Sequence, residues 1–117
     1  MTRVLFVCLG NICRSPTAEA VVRAVAARDT PGLEIEVDSA GTHGYHTGSP
    51  PDERSIAAAH RRGIDMSGLR ARVVEPGDFE RFDLVLAMDE SVYERLLGMA
   101  PRSHAERVRL FLHYAPQ

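Results

Sequence analysis

Apolar runs and helical patterns alternate along the chain. Residues 4–7 form a continuous apolar run, which is typical of a strand buried on both faces of a parallel sheet. Residues 33–38 alternate strictly between apolar and polar side chains, which predicts an edge strand with one solvated face. Residues 84–88 predict another buried strand, and residues 108–112 predict the last one. The pattern therefore predicts four strands.

The first helix is predicted over residues 16–29. Ser15 is expected to be its N-cap, with Pro16 at the first helical position. The apolar stripe expected to face the core consists of Ala18, Val21, Val22, Val25 and Ala26. In the same way, Asp52 is predicted to cap the next helix and Gly63 to end it.

Further helices complete an alternating pattern of strands and helices. They are predicted over residues 53–62, 78–82 and 90–98. This alternation predicts an α/β fold, a parallel sheet with right-handed crossovers and helices on both faces. Ligands of such sheets bind beyond the carboxyl ends of the strands. Three polar side chains lie at those ends, namely Cys8, Ser39 and Asp89.

Length and composition narrow the class of protein. The 117 residues suit one domain, and a hydrophobic content of 44% is enough for a core. A net charge of −2 and scattered arginines argue against nucleic acid as a partner. We predict neither a membrane span nor a signal peptide, because no apolar run is long enough and the first strand begins directly after Arg3. Two cysteines so close together are not a secreted disulfide framework, so a cytoplasmic protein is predicted.

The candidate chemistry lies where the first strand turns into the first helix. Cys8 and Arg14 flank a short loop there. Loop amides and a helix N-terminus directed at one point favour an anion, and the same field favours the reactive thiolate. The planar fork of arginine binds two oxygens at once. All 14 basic residues are arginine, so the spacing alone is weak evidence, but its context predicts a thiol nucleophile for phosphate monoesters.

This segment resembles the low-molecular-weight protein tyrosine phosphatase family. The resemblance extends over essentially all 117 residues and includes the motifs at 38–42, 51–54, 63–67 and 82–89. It implies a sheet of strand order 2-1-3-4 and a single phosphatase domain. The implied reaction is hydrolysis of protein phosphotyrosine through a phosphocysteine on Cys8, with Arg14 holding the phosphoryl oxygens and inorganic phosphate as product. The partners it implies are phosphotyrosine proteins, a bacterial tyrosine kinase among them, and it implies no cofactor.

The resemblance also assigns roles within the loop. The phosphate-binding positions are Leu9, Gly10, Asn11, Ile12, Cys13 and Arg14. Loop support is expected from Asn11, Ser15 and Ser39, since asparagine tolerates the left-handed backbone of an anion-binding nest. An ordinary strand-end serine is the alternative for Ser39. Leu69 stands where the family usually has a histidine, and leucine cannot donate a hydrogen bond, so weaker loop support is expected.

Substrate choice is expected to depend on two rim residues. Related protein-arginine phosphatases carry threonine where this chain has Ile12, and a bulky apolar residue favours a flat phenol over phosphoarginine. Tyr45 falls where the family places an aromatic wall. The histidines lack the spacing of metal ligands, so no metal is predicted. Surface roles are expected for His43, His46, His60, His104 and His113.

Two alternatives concern the cysteines. The resemblance implies that Cys13 forms a protective disulfide with Cys8, but a small packed thiol explains Cys13 equally well. An arsenate reductase shares this loop, yet it needs further cysteines to carry the disulfide away, and this chain has only 2.

The general acid is expected to lie outside residues 1–117. The family carries that acid in an Asp-Pro-Tyr loop after the last strand, and no such motif occurs in the sequence. The domain is therefore expected to be incomplete at its C-terminus, without the final helix of the fold. Asp89 is the substitute acid considered, and an N-cap of the following helix is its alternative role. A module that binds phosphotyrosine without turnover is the alternative function.

Overall fold

A computed structural model describes residues 1–111 of the chain. Its centre is a parallel four-stranded sheet in the order β2-β1-β3-β4, which confirms the expected order. The strands are β1 (Thr2–Cys8), β2 (Ile35–Gly41), β3 (Leu84–Ala87) and β4 (Val108–Leu110). The edge position of β2 is thereby confirmed. The end of the predicted last strand, residue 112, lies outside the described residues.

Helices cover both faces of the sheet. They are α1 (Arg14–Asp29), α2 (Glu53–His60), α3 (Asp78–Arg81) and α4 (Glu90–Met99), followed by a 3₁₀ helix (Arg102–Arg107). Successive side chains of a strand point to opposite faces. Accordingly Leu5 and Val7 of β1 pack with Phe79 of α3 and Leu96 of α4, while Phe6 packs on the face that α1 covers. Within the described residues, no helix has both the length and the apolar character needed to cross a bilayer.

The predicted start of α2 is confirmed, and the helix ends at His60, two residues before the predicted end. Asp52 is its N-cap and accepts a hydrogen bond from the Arg54 amide at 3.1 Å. After the helix, the chain turns at Gly63 with φ +77°, a left-handed conformation that glycine adopts without strain. The Ile64 amide then donates back to the Ala59 carbonyl at 2.9 Å, which satisfies an orphan acceptor of the last turn.

The predicted start of α1 is wrong. The helix begins at Arg14 with Cys13 as N-cap, and no side chain of the described residues caps it. Ser15 lies inside the first turn, where its hydroxyl contacts Asn11 and Cys8 instead of a helix amide. A helix that starts without a side-chain cap keeps its first N–H groups available to a ligand. The N-cap position is therefore occupied by the last loop residue before the helix, Cys13, and not by Ser15.

The predicted apolar stripe of α1 is confirmed only in part, since Ala18 and Val22 pack against the core cluster around Phe6. Val21 and Val25 are 37% and 39% exposed in the described structure. The buried residues of the helix are Ser15, Pro16, Glu19 and Ala20. Glu19 is held by Ser39 of β2 and by Arg23, so a paired carboxylate occupies a core-facing position. Periodicity missed Glu19 because it assigns a charged residue to solvent.

Candidate active site

The candidate loop begins at the carboxyl end of β1. Cys8 is the last residue of that strand, pairs in register with Gly41 of β2 and is 3% exposed. The chain beyond β2 runs beside the loop, since the Thr42 amide donates to the Cys8 carbonyl and the His43 amide to the Leu9 carbonyl, both at 3.0 Å. The second strand therefore supports the first half of the loop from one side.

Gly41 allows this close approach. A Cβ at position 41 would lie 2.9 Å from the Leu9 carbonyl oxygen and 3.1 Å from the Asn11 nitrogen. Both neighbours are backbone atoms of the loop, so no side-chain rotation can relieve the clash. The glycine of the 38–42 motif therefore lets the loop pack directly on β2.

Two groups contact the sulfur of Cys8. The Asn11 amide donates to Sγ at 3.2 Å, and the Ser15 hydroxyl lies 3.0 Å from Sγ. Asn11 has φ +59°, the left-handed conformation expected for it, and its side-chain amide donates to Ser15 Oγ at 2.9 Å. Because Ser15 accepts from Asn11, its one proton goes either to the sulfur at 3.0 Å or to the Ala40 carbonyl at 3.4 Å, and the sulfur is the nearer acceptor. This arrangement suits a thiolate, which needs donors and no acceptors.

Ser39 is expected to support the loop, but its hydroxyl contacts Glu19 of α1 instead. Its hydroxyl donates to Glu19 Oε1 at 2.7 Å, and it is buried between β2 and α1. The carboxylate of Glu19 is a charged acceptor, so it takes the hydroxyl in preference to a neutral group. Ser39 thus joins the strand to the helix that follows the loop, and direct support comes from Asn11 and Ser15.

Arg14 lies at the edge of the loop, paired with Asp89. One terminal nitrogen of Arg14 is 2.9 Å from Asp89 Oδ2, and both side chains are partly exposed. Asp89 is also the N-cap of α4 and accepts from the Val92 amide at 2.8 Å. That backbone hydrogen bond, together with Arg14, holds the pKa of Asp89 below its ordinary value. Asp89 is therefore ionised at neutral pH, which suits an N-cap and a partner of Arg14 and does not suit a proton donor.

A cleft of about 250 Å³ opens above the loop. Its lining consists of Cys8, Leu9, Gly10, Ile12, Cys13, Arg14, Tyr45 and His46. The Tyr45 ring is 77% exposed and stacks on His43, with ring centroids 5.4 Å apart, so the expected aromatic wall stands at the cleft.

His46 lies closer to the candidate loop than the sequence predicts. It is exposed, as expected for a loop residue, but its ring lies against Gly10 and lines the cleft. A Cβ at position 10 would approach His46 Cδ2 to 3.0 Å, so the ring and the loop are in tight contact. Histidine spacing signals metal sites and carries no information on such a contact.

Arg72 is the other residue that sequence reasoning missed. Its backbone amide donates to Asn11 Oδ1 at 2.9 Å across 61 positions of sequence. Leu69, at the usual histidine position, packs instead against the small apolar cluster around Met66. Asn11 thus receives a backbone donor, which leaves no sequence motif, and weaker loop support stays a prediction.

The remaining predictions for this region concern metal and redox chemistry. No group of three or more potential metal ligands occurs in the part of the chain that the structure describes. Cys8 is buried, Cys13 is exposed, and both are free thiols. Metal-free catalysis and the Cys8–Cys13 disulfide both stay predictions.

Comparisons with known proteins agree on one family. The family model described as low molecular weight phosphotyrosine protein phosphatase matches residues 3–117. The low molecular weight protein-tyrosine-phosphatase YfkJ of Bacillus subtilis is 45% identical over 116 residues, which cover 97% of this chain and 73% of that protein. The human low molecular weight phosphotyrosine protein phosphatase is 52% identical over 88 residues, covering 75% of this chain and 55% of the human protein.

Solved structures agree with the sequence matches. The crystal structure of YfkJ from Bacillus subtilis superposes with a TM-score of 0.93 at 42% identity, covering 100% of this chain and 74% of that one. A product-state mimic of a protein tyrosine phosphatase from Entamoeba histolytica superposes with a TM-score of 0.95 at 36% identity over the same shares.

Proposed function

The chain belongs to the low molecular weight phosphotyrosine protein phosphatase family, and we propose that it hydrolyses phosphotyrosine through a phosphocysteine on Cys8. The observation that carries the proposal is the buried Cys8 sulfur, with two donors on it, at the floor of a cleft that Arg14 also lines. A thiolate so placed is stabilised where it can attack phosphorus.

The first step forms the covalent intermediate. The Cys8 thiolate attacks phosphorus, the bond from phosphorus to the phenolic oxygen breaks, and the leaving group departs as a phenolate with that electron pair and takes up a proton from water. Arg14 and the loop amides hold the non-bridging oxygens, and their positive field stabilises the charge of the transition state. The left-handed Asn11 turns its amide toward Cys8, which is the backbone geometry of an anion-binding nest.

The second step returns the free enzyme. Water attacks phosphorus, the sulfur–phosphorus bond breaks, and inorganic phosphate leaves while the electron pair returns to sulfur. Ser15 and the Asn11 amide stabilise the departing thiolate by the contacts described above. Both steps therefore use the same two donors.

No carboxylate among residues 1–111 is proposed as the general acid. Asp89 carries a depressed pKa and is paired with Arg14, so it lacks a proton to give at neutral pH. In this proposal its role is to orient Arg14 and to cap α4. The proposed substrates are phosphotyrosine proteins, and a bacterial tyrosine kinase among them stays a prediction.

The test of this proposal is a comparison of peptides that differ only in the phosphorylated residue. We expect kcat/KM for a phosphotyrosine peptide to exceed that for its phosphoserine and phosphoarginine counterparts, with phosphate released. Saturable binding of the phosphotyrosine peptide without phosphate release would identify a binding module instead. Preference for phosphoarginine would overturn the substrate assignment, and arsenate reduction would favour the reductase reading.

Ile12→Thr is expected to admit phosphoarginine. The apolar side chain of Ile12 lines the cleft. It would remove water from the guanidinium of a bound phosphoarginine without offering that group a hydrogen-bond partner. A hydroxyl in this place supplies an acceptor, so the preference for phosphotyrosine over phosphoarginine should fall roughly 10- to 200-fold. The measurement is the ratio of kcat/KM values for the two peptides.

Ile12→Val is the matched control for this prediction. Valine has the shape of threonine but no hydroxyl, so it separates polarity from size. The control should keep the preference for phosphotyrosine. If both variants relax selectivity equally, cleft volume rather than polarity decides the choice, and the argument from Ile12 is wrong.

A further inference from the structure

An ion-pair network around one buried carboxylate lies behind the phosphate-binding loop. The side chain of Asp78, at the start of α3, is fully buried. Arg72 donates to both of its carboxylate oxygens, at 3.0 and 3.3 Å, and Arg81 donates to it as well. The same Arg72 guanidinium reaches Asp38 of β2 at 3.0 Å. Arg72 therefore bridges an acid on a helix and an acid on a strand.

The charge of Asp78 is maintained despite its burial. Burial alone would raise the pKa of Asp78, but hydrogen bonds from Arg72, the Glu75 amide and Arg81 outweigh it and hold the pKa below its ordinary value. The planar guanidinium makes these contacts in a fixed geometry, which a lysine ammonium cannot reproduce. The side chain of residue 72 is thus held rigidly from two directions.

The backbone of the same residue contacts the loop. The Arg72 carbonyl accepts from the Gly41 amide at 2.8 Å, and the Arg72 amide donates to Asn11 Oδ1 at 2.9 Å. Asn11 is 3% exposed, so loss of this donor would leave a buried acceptor unsatisfied. The Nδ2 end of the Asn11 side-chain amide donates to Ser15 Oγ. The Arg72 amide therefore fixes which end of Asn11 faces Ser15.

We propose that Arg72 and Asp78 are positioning residues for the phosphate-binding loop. Their ion pair fixes the backbone amide of Arg72, which orients the Asn11 side chain and, through it, the Ser15 hydroxyl on Cys8. The inference rests on the proposed phosphatase function, because its consequence is the geometry of the Cys8 sulfur and of the bound phosphoryl group. Neither residue touches the substrate in this account.

The test compares two conservative substitutions that loosen the same region. Arg72→Lys keeps a positive charge beside Asp78 but cannot bridge to Asp38 in the same geometry. Arg107→Lys is the matched control, because Arg107 donates to the carbonyls of Phe79, Glu80 and Phe82 around α3 and its described contacts do not include the loop. The readouts are kcat and KM for p-nitrophenyl phosphate, the affinity for orthovanadate by calorimetry, and the free energy of unfolding.

The expected result separates an effect on the position of the loop from an effect on the free energy of unfolding. Arg72→Lys should lower kcat and weaken vanadate binding by roughly tenfold to a hundredfold, the scale of a small misplacement of reacting groups. Arg107→Lys should lower the free energy of unfolding and leave kcat and vanadate affinity unchanged. In an Asn11→Ala background, Arg72→Lys should cause no further loss, because the residue through which it acts is gone.

Three outcomes would overturn the inference. They are unchanged kcat and vanadate affinity in a folded Arg72→Lys variant, equal losses in Arg72→Lys and Arg107→Lys, and losses that add to those of Asn11→Ala. If Arg72→Lys does not fold, Asp78→Asn is read by the same criteria. An unmodified protein that binds vanadate but releases no phosphate would refute the proposed function alone, and the vanadate measurements would still decide the role of Arg72.

Discussion

Cys8→Ser is expected to abolish turnover while the protein still binds oxyanions. A hydroxyl is a far weaker nucleophile than a thiolate, because it stays protonated at neutral pH even beside the two donors that contact the Cys8 sulfur. The loss of a nucleophile lowers kcat by about 10⁴-fold or more. Arg14 and the loop amides remain, so phosphate and vanadate should bind nearly as well as before.

Turnover and binding are measured separately for this variant. Release of phosphate from p-nitrophenyl phosphate reports turnover, and the rise of the melting temperature with vanadate reports binding. At 100 times Kd, a ligand that binds only the folded state stabilises it by about 2.7 kcal/mol. Cys13→Ser makes the same change at the exposed thiol of the loop and should keep turnover measurable. Normal turnover by Cys8→Ser would remove Cys8 from the mechanism.

Arg14→Lys is expected to reduce both binding and rate. One terminal nitrogen of Arg14 is paired with Asp89, and the other N–H groups of the planar guanidinium can donate to phosphoryl oxygens. Lysine supplies one compact charge that cannot serve Asp89 and two oxygens in the same geometry. Loss of a donor to the transition-state oxyanion lowers kcat by roughly 10²- to 10³-fold. The measurement is kcat together with the inhibition constant of phosphate.

Asp89→Asn is the companion variant for this prediction. Asparagine is also an effective N-cap, so α4 keeps its first turn while the charge that orients Arg14 is lost. A smaller loss than that of Arg14→Lys is expected, and it should be similar for substrates with good and poor leaving groups. A loss confined to poor leaving groups would identify Asp89 as the general acid. An unchanged rate in Arg14→Lys would mean that Arg14 is not a phosphate ligand.

The sheet could be predicted because its signals are local. A continuous apolar run such as residues 4–7, followed at once by a loop and a helix start, is typical of a central parallel strand. The strand order is implied by the family resemblance. The loop could be located for the same reason, since Cys8, Arg14 and the helix that follows are close together in sequence. Right-handed crossovers and strand ends then bring Asp89 to the same edge of the sheet.

The contacts behind the loop could be predicted only in part. Ser15 is expected from local sequence as a helix cap and from the family resemblance as loop support, and its hydroxyl contacts Asn11 and Cys8 and no helix amide. Ser39 donates to Glu19, a buried acid that periodicity assigns to solvent. The Arg72 amide reaches Asn11 from a distant segment, and a backbone donor is independent of residue type. Tertiary contacts of this kind carry no signature in a single sequence.

The most direct test of the central claim is to trap the covalent intermediate. The protein is mixed with a phosphotyrosine peptide, quenched within the first turnovers, digested and examined by mass spectrometry and phosphorus NMR. We predict one phosphoryl group bound to sulfur, located on the peptide that contains Cys8 and absent from the Cys8→Ser variant. Phosphate release without any phosphoryl-enzyme, or a phosphoryl group on another residue, would contradict the account.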